Sequence, residues 1–377
     1  FDFSHDRGFL PKTDPVTEFS LSLERGNRNS LLMWQQTARD LPYYLAQQNV
    51  RKKIESLPEL SLEDLAPEEH TYTALLCSYF GPAYVFGENP IKPVVPRNIA
   101  RLWCALSQPA SLRYYHFCLT NWRLLDPNGP IAFGNLALLQ TFLGGADENG
   151  FVLPHTTIEA KAGVLGDAFF QLLKTSYARN TSAARTWFQV ACEAFVPILT
   201  TLRDITKWCD PDIYYKRVRP YLHWSKGNQF FPDGIVYEGC FDNKPVFLRG
   251  ETGAQSSVIP LLDAFLGVDH PKDRLWDYLE DMKNYMHPKH RAFVEYLWHK
   301  HPYVIRGFVR DYPEFRDLYN QCIFNLYLFR EIHRGHVKLY IEDQQERAGN
   351  PTAVGTGGTP LSEYLKAHSD NTLKALL

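Results

Sequence analysis

The chain has 377 residues, 45% of them hydrophobic and 14% aromatic, and its 40 basic and 42 acidic side chains leave a formal charge of -2. That is enough apolar material for a large core, most simply as two packed domains, and with no basic block to neutralise a phosphate backbone, nucleic acid is not an expected partner. No apolar run reaches the roughly 20 residues of a membrane span, and FDFSHDRGFLP has neither a basic n-region nor an apolar h-region, so the expectation is a soluble, cytoplasmic protein without a membrane partner.

Residues 1–143 mix short helical patterns with proline punctuation, as in ENPIKPVVPRN and LDPNGPIAFGN, and read as a small, irregular, mainly helical domain. GGADENG (144–150) marks a change of style. In TTIEAKAGVLGDAFFQLLKTSYA (156–178), Ile158, Leu165, Phe169, Leu172 and Leu173 fall at helical spacing, and SAARTWFQVACEAFVPILTTLRDI (182–205) continues in the same way. AQSSVIPLLDAFLGV, RAFVEYLWHKH and the region 313–345 supply further helices. The expected class is all-α, with a bundle-like second domain over 144–377. The seven cysteines (77, 104, 118, 192, 209, 240, 322) are dispersed and never form CxxC, which predicts reduced, mostly buried thiols.

FREIHRGHVKLYI (329–341) places His333 and His336 three positions apart. No proline lies between Pro313 and Pro351, so a long helix can pass through both. Cys322, Leu326, Phe329, His333, Val337 and Tyr340 then form one apolar stripe. His333 sits at its middle, and His336 is turned about 60° towards the flank shared with Ile332. A histidine on such a stripe is ordinarily a satisfied core residue. HxxH alone supplies only two zinc ligands, without HExxH or a cysteine pair. The better metal reading is a single axial imidazole below a haem iron, in a wide apolar slot between helices.

Two segments suit a flat, anionic ligand. AVGTGGTPLSEYL (353–365) is a glycine-rich turn entering a helix through Thr359-Pro360. A cap explains those two residues, while the glycines and Thr356 add mobile amides and a hydroxyl near a carboxylate. IYYKRVRPYLHW (213–224) combines adjacent tyrosines with Arg219, either a surface cation or a bidentate carboxylate clamp beside an aromatic wall.

The ordered motifs NWRLLDPNGP, KGNQFFPDGIVYEG, GAQSSVIPLLDAFLGV, DMKNYMHPKHRAFVEYL, FREIHRGHVKLYI and GTGGTPLSEYLK resemble the indoleamine 2,3-dioxygenase family over nearly the whole chain. The resemblance implies a small helical domain closing over a large helical domain that carries haem b. It makes His333 the proximal iron ligand, puts Arg330 near a propionate, gives Asp263 an orienting role on the proximal side, and counts Tyr114 with the cofactor. On the distal face it implies Phe151 and Tyr214 as aromatic pocket residues, Arg219 as the clamp on the substrate carboxylate, Thr252 and Gly253 as pocket wall near oxygen, and Thr356 on a closing loop.

Two departures stand out: Tyr215 where the family commonly has phenylalanine, and His155 where it has serine. Both resemble the related tryptophan 2,3-dioxygenases, which makes His155 a candidate catalytic residue and Tyr215 a candidate substrate contact. Bare propensity offers His155 a duller place, in the first turn after Pro154 before a helix from Thr156. The implied reaction inserts O2 across the indole C2–C3 bond of L-tryptophan, giving N-formylkynurenine, the first step of the kynurenine pathway, with an electron donor keeping the iron ferrous. The alternatives are a histidine-ligated haem oxygenase acting on a substituted indole and a haem-binding protein of the same fold without turnover.

Overall fold

The computed structural model describes residues 2–22, 26–348 and 362–377. About 63% of it is helical against 3% strand, which makes the fold all-α. The strands are two-residue pairs: Val94–Val95 runs parallel to Val236–Tyr237, and Arg123–Leu124 antiparallel to Leu136–Ala137. They pin loops rather than form a layer.

In the first part of the chain, the helix His70–Phe86 is buried along almost its whole length and packs on Arg97–Leu106. The longest helices, Ala146–Tyr177 and Thr181–Trp208, are joined by three residues and form an antiparallel pair with the most extensive packing in the molecule. Asn180 caps the second, its side chain accepting from the Ala183 N–H at 3.0 Å. One cluster of buried apolar residues is continuous from Phe9 to Ala375, so the boundary expected at 143/144 falls in a loop but not in a gap between cores.

The first long helix starts ten residues before Thr156. Gly145 is its extended N-cap, and Asp147 and Glu148 occupy its first turn, where the helix dipole favours acids. The Glu148 carboxyl also accepts from the N–H groups of Phe142 (2.9 Å) and Leu143 (2.8 Å). GGADENG is therefore a cap and a first turn, not a connector. Pro154 lies inside the helix, giving up one backbone bond without ending it, and His155 sits between the second and third turns instead of at a helix start.

The helix Arg316–Val337 packs on Thr181–Trp208 and Ser362–Leu373, then continues through a wider turn, Lys338–Glu342, into Asp343–Ala348. Along the expected stripe, Cys322, Leu326, Val337 and Tyr340 are buried, and Phe329 and His333 are half-buried. The Tyr340 hydroxyl donates to the Cys209 carbonyl at 2.6 Å, fastening the end of the stripe to the end of Thr181–Trp208. All seven cysteines are free, and Cys77, Cys118, Cys209 and Cys322 are buried.

The helix Val258–Leu266 ends at Gly267, whose φ of 65° is left-handed and whose N–H closes on the Asp263 carbonyl. A Cβ there would sit 2.8 Å from the Tyr303 ring. Gly267→Ala should therefore cost about 1–2 kcal/mol from the left-handed backbone, read as a lower urea midpoint at unchanged slope; an unmoved midpoint would contradict this account of the helix end.

Candidate functional site

Four helices, Ala146–Tyr177, Thr181–Trp208, Val258–Leu266 and Arg316–Val337, contribute to the wall of a cavity of about 300 Å³. Ile158, Leu202, Ile205, Val258, Ile259 and Leu275 supply much of its apolar lining. A few polar groups interrupt this surface, the usual composition of a small-molecule site.

His333 lies on this wall. Burial, followed by the neighbouring His155, holds its pKa down at about 4, so the ring is neutral at physiological pH. Among the described residues neither ring nitrogen has a hydrogen-bond partner. His336 lines the cavity too. Burial, His333 and His155 together press its pKa to about 4, and its ring meets Tyr340 edge-on at 6.0 Å. The flank to which the sequence assigned His336 therefore also belongs to the cavity, because the cavity is wider than one helical stripe.

His155 lines the same cavity, close enough to influence both rings. Its Nδ1 lies 2.7 Å from the Phe151 carbonyl oxygen one turn earlier, an atom that can only accept. Nδ1 therefore carries the proton, and burial keeps the ring's pKa below its ordinary value despite that bond. Nε2 is left as an acceptor. Aromatic rings lie beside the imidazole: Phe151 at 5.0 Å and Tyr114 at 6.3 Å, with Tyr214 tilted against Phe151 at 4.2 Å.

At another edge, Asp263 and Arg330 form a buried ion pair that also lines the cavity. Arg330 Nη2 donates to both carboxylate oxygens, at 2.8 and 2.7 Å, and Nη1 to Thr372 Oγ1 at 2.7 Å. His270 Nε2 approaches Asp263 at 3.2 Å, and its ring stacks on His368 at 4.4 Å. Burial would raise the Asp263 carboxyl, but Arg330 and His270 outweigh it and hold the group below the usual carboxylate range. Asp263 makes no hydrogen bond to His333 among the described residues, so any orienting influence on that ring passes through Arg330, one turn before it.

Of the residues singled out from sequence, Tyr114, Phe151, His155, Tyr214, Thr252 and Gly253 line the cavity, as do Asp263, Arg330 and His333. Arg219 and Tyr215 do not. They sit behind the wall, where the wide turn Tyr214–Val218 leads into Arg219–Leu222 and the guanidinium lies over the Tyr215 ring at 5.2 Å. Thr356 lies outside the described residues. Sequence reading missed Glu251, Tyr278 and His368, all on the wall; only the position of Glu251 beside Thr252-Gly253 hinted at it.

A helical fold around an apolar cavity that carries neutral imidazoles defines a candidate binder of a histidine-ligated prosthetic group. Residues 1–375 match the family described as Indoleamine 2,3-dioxygenase. The chain is 32% identical over 368 residues to rat indoleamine 2,3-dioxygenase 1, and 31% over 365 residues to human indoleamine 2,3-dioxygenase 2, in each case covering 91% of this chain and 89% of the relative. It is 28% identical over 393 residues to indoleamine 2,3-dioxygenase acdA of Aspergillus candidus, covering 97% and 94%. The chain belongs to the indoleamine 2,3-dioxygenase family, whose members are haem-dependent dioxygenases. The residues present fit that group, offering a neutral imidazole without a hydrogen-bond partner among the described residues, apolar walls and an arginine on the cavity wall. Among the described residues there is no cluster of three or more histidine, cysteine or acidic side chains to hold a bare metal ion, and no helix is long and apolar enough to cross a membrane.

Removing one partner of a buried ion pair strands the other. Asp263→Ala should lower stability at neutral pH by about 3 kcal/mol. Because the folded-state pKa is depressed, the contribution exists above the unfolded value of about 4 and is lost as the pH falls through the lower folded value. The gap between parent and variant, followed by chemical denaturation, should accordingly close on acidification; a gap that widened would reverse the sign assigned to this pair.

Proposed function

We propose that this chain is a haem b-dependent 2,3-dioxygenase of L-tryptophan or a closely related indole, opening the C2–C3 bond to give the N-formylkynurenine-type product, as in the first step of the kynurenine pathway, and that it works in the cytoplasm. The observation that carries this reading is the neutral His333 imidazole on an apolar cavity wall, without a hydrogen-bond partner among the described residues, with a second neutral imidazole, His155, within electrostatic reach. His333 would hold the haem iron, with Arg330, Asp263 and Tyr114 around the cofactor. When bound and kept ferrous by an electron donor, haem would supply the activation of O2.

The chain's own residues bind, orient and keep the reaction dry. Phe151 and Tyr214, packed ring against ring, would offer flat apolar faces to an indole ring, and Thr252 and Gly253 would close the wall beside it. His155 Nε2, the free acceptor, would receive the indole N–H, a donor that would otherwise be buried unpaired at a cost of roughly 1–3 kcal/mol. Arg219, steadied by Tyr215, would meet the substrate carboxylate by moving from behind the wall as the pocket fills, with Thr356 on the closing segment.

His333→Ala should abolish haem retention, whereas His336→Ala should keep the Soret band, because only His333 is centred on the stripe; equal haem loss in both would remove the ligand assignment. His155→Ser should narrow the preference for L-tryptophan over 1-methyl-L-tryptophan, read as a ratio of kcat/KM values. An unchanged ratio would mean that His155 only fills space.

A further inference from the structure

Four acidic side chains are buried at or near the cavity; Asp263 is answered by Arg330, and two of the other three have clear structural employment. Glu148 accepts from the Phe142 and Leu143 N–H groups. Glu159, behind the wall, accepts from Ser256 Oγ at 2.6 Å. Glu251 has no such employment. It is 4% exposed, lies on the cavity wall, and its carboxyl takes no hydrogen bond from any described residue.

Burial alone pushes the Glu251 carboxyl up to about 8, with no neighbouring cation to offset it. Two nearby cations are already engaged: Arg249 Nε with Asp281 at 2.6 Å, and Lys283, also on the cavity wall, with Glu280. The titratable groups that Glu251 influences are Tyr79, Tyr114, Cys118, Tyr214 and Tyr278, each raised chiefly by burial and so uncharged at neutral pH. An isolated carboxyl in an apolar wall is costly unless something arrives to pair with it.

The backbone fixes where that something binds. The Glu251 N–H donates to the Leu222 carbonyl at 3.1 Å, and Gly250 sits so close that a Cβ would fall 1.7 Å from the same oxygen. Leu222 ends the short helix that begins with Arg219. The acid and the arginine are thus carried by two segments in direct contact, and they act on the Tyr214 hydroxyl with opposite sign.

We propose that Glu251 is a specificity-determining residue that receives the ammonium group of the substrate while Arg219 receives its carboxylate, so that the site recognises a zwitterionic amino-acid headgroup. This rests on reading the cavity as the indole site. An incoming ammonium stabilises the carboxylate and draws off its proton, so binding at neutral pH releases a proton from Glu251. An indole acid without the amine has nothing to draw the proton from the carboxyl and leaves it neutral and unpaired.

The test uses the haem-loaded full chain and two ligands that differ only in the amine, L-tryptophan and indole-3-propionate. The parent should favour L-tryptophan by about 10- to 100-fold in kcat/KM, the worth of a charge-assisted hydrogen bond, and Glu251→Gln should erase most of that preference by losing L-tryptophan alone. Calorimetry in buffers of different ionisation heat should show proton release on L-tryptophan binding in the parent and not in the variant. If the parent turns over L-tryptophan without preferring it, or the variant weakens both ligands equally, the proposal is overturned while the function stands. Should the variant fail to fold, the parent's preference and its proton release still decide the matter. If the parent neither binds nor converts any indole, the functional reading itself falls, and this proposal with it.

Discussion

An imidazole buried in an apolar wall with no carboxylate beside it gives up its proton, and the rest of the site depends on that constraint. Desolvation is the first cause of the depressed basicity of His155, His333 and His336, and the proximity of the rings to one another adds to it for the latter two. A neutral ring is what a metal needs as a ligand and what a buried N–H needs as an acceptor. The helices that make the cavity dry therefore also set the protonation state of its working groups. His155 shows the economy of this arrangement: one bond to the Phe151 carbonyl fixes the tautomer and leaves the opposite nitrogen free.

Charge is admitted only where it is answered. Arg330 and Asp263 answer each other at one edge, supported by Thr372 and His270. Lys283 and Arg249 are answered by acids away from the cavity. Glu251 is the exception among the described residues, and a buried acid without a partner there is a reason to look for one in the ligand. On the functional reading, the indole end of the pocket and the headgroup end are distinguished by the kind of polar group they leave open.

Much of this was legible in the chain because helices write their faces into sequence. The stripe from Cys322 to Tyr340 could be counted, and it runs without a break through the observed helix and the wide turn beyond it. The family likewise could be recognised from ordered motifs. The start of the long helix was not legible: Gly144-Gly145 resembles a connector until the Glu148 carboxyl is seen tying the preceding backbone to the first turn. Nor could the width of the cavity be read from one helix, which is why His336 looked peripheral. Arg219 and Tyr215 fall on one face, as their spacing indicates, but the wide turn that carries them sets that face behind the wall. Glu251 carried no periodicity, since its role comes from a loop meeting the end of a short helix at the Leu222 carbonyl.

The central claim is that these groups serve a dioxygenation. It is tested most directly by giving the ferrous, haem-loaded protein L-tryptophan under 18O2 and weighing the product. The account predicts a ring-opened formyl product carrying two labelled oxygen atoms. A product with a single labelled atom, or a stable haem spectrum with no product from L-tryptophan or any other indole, would contradict it.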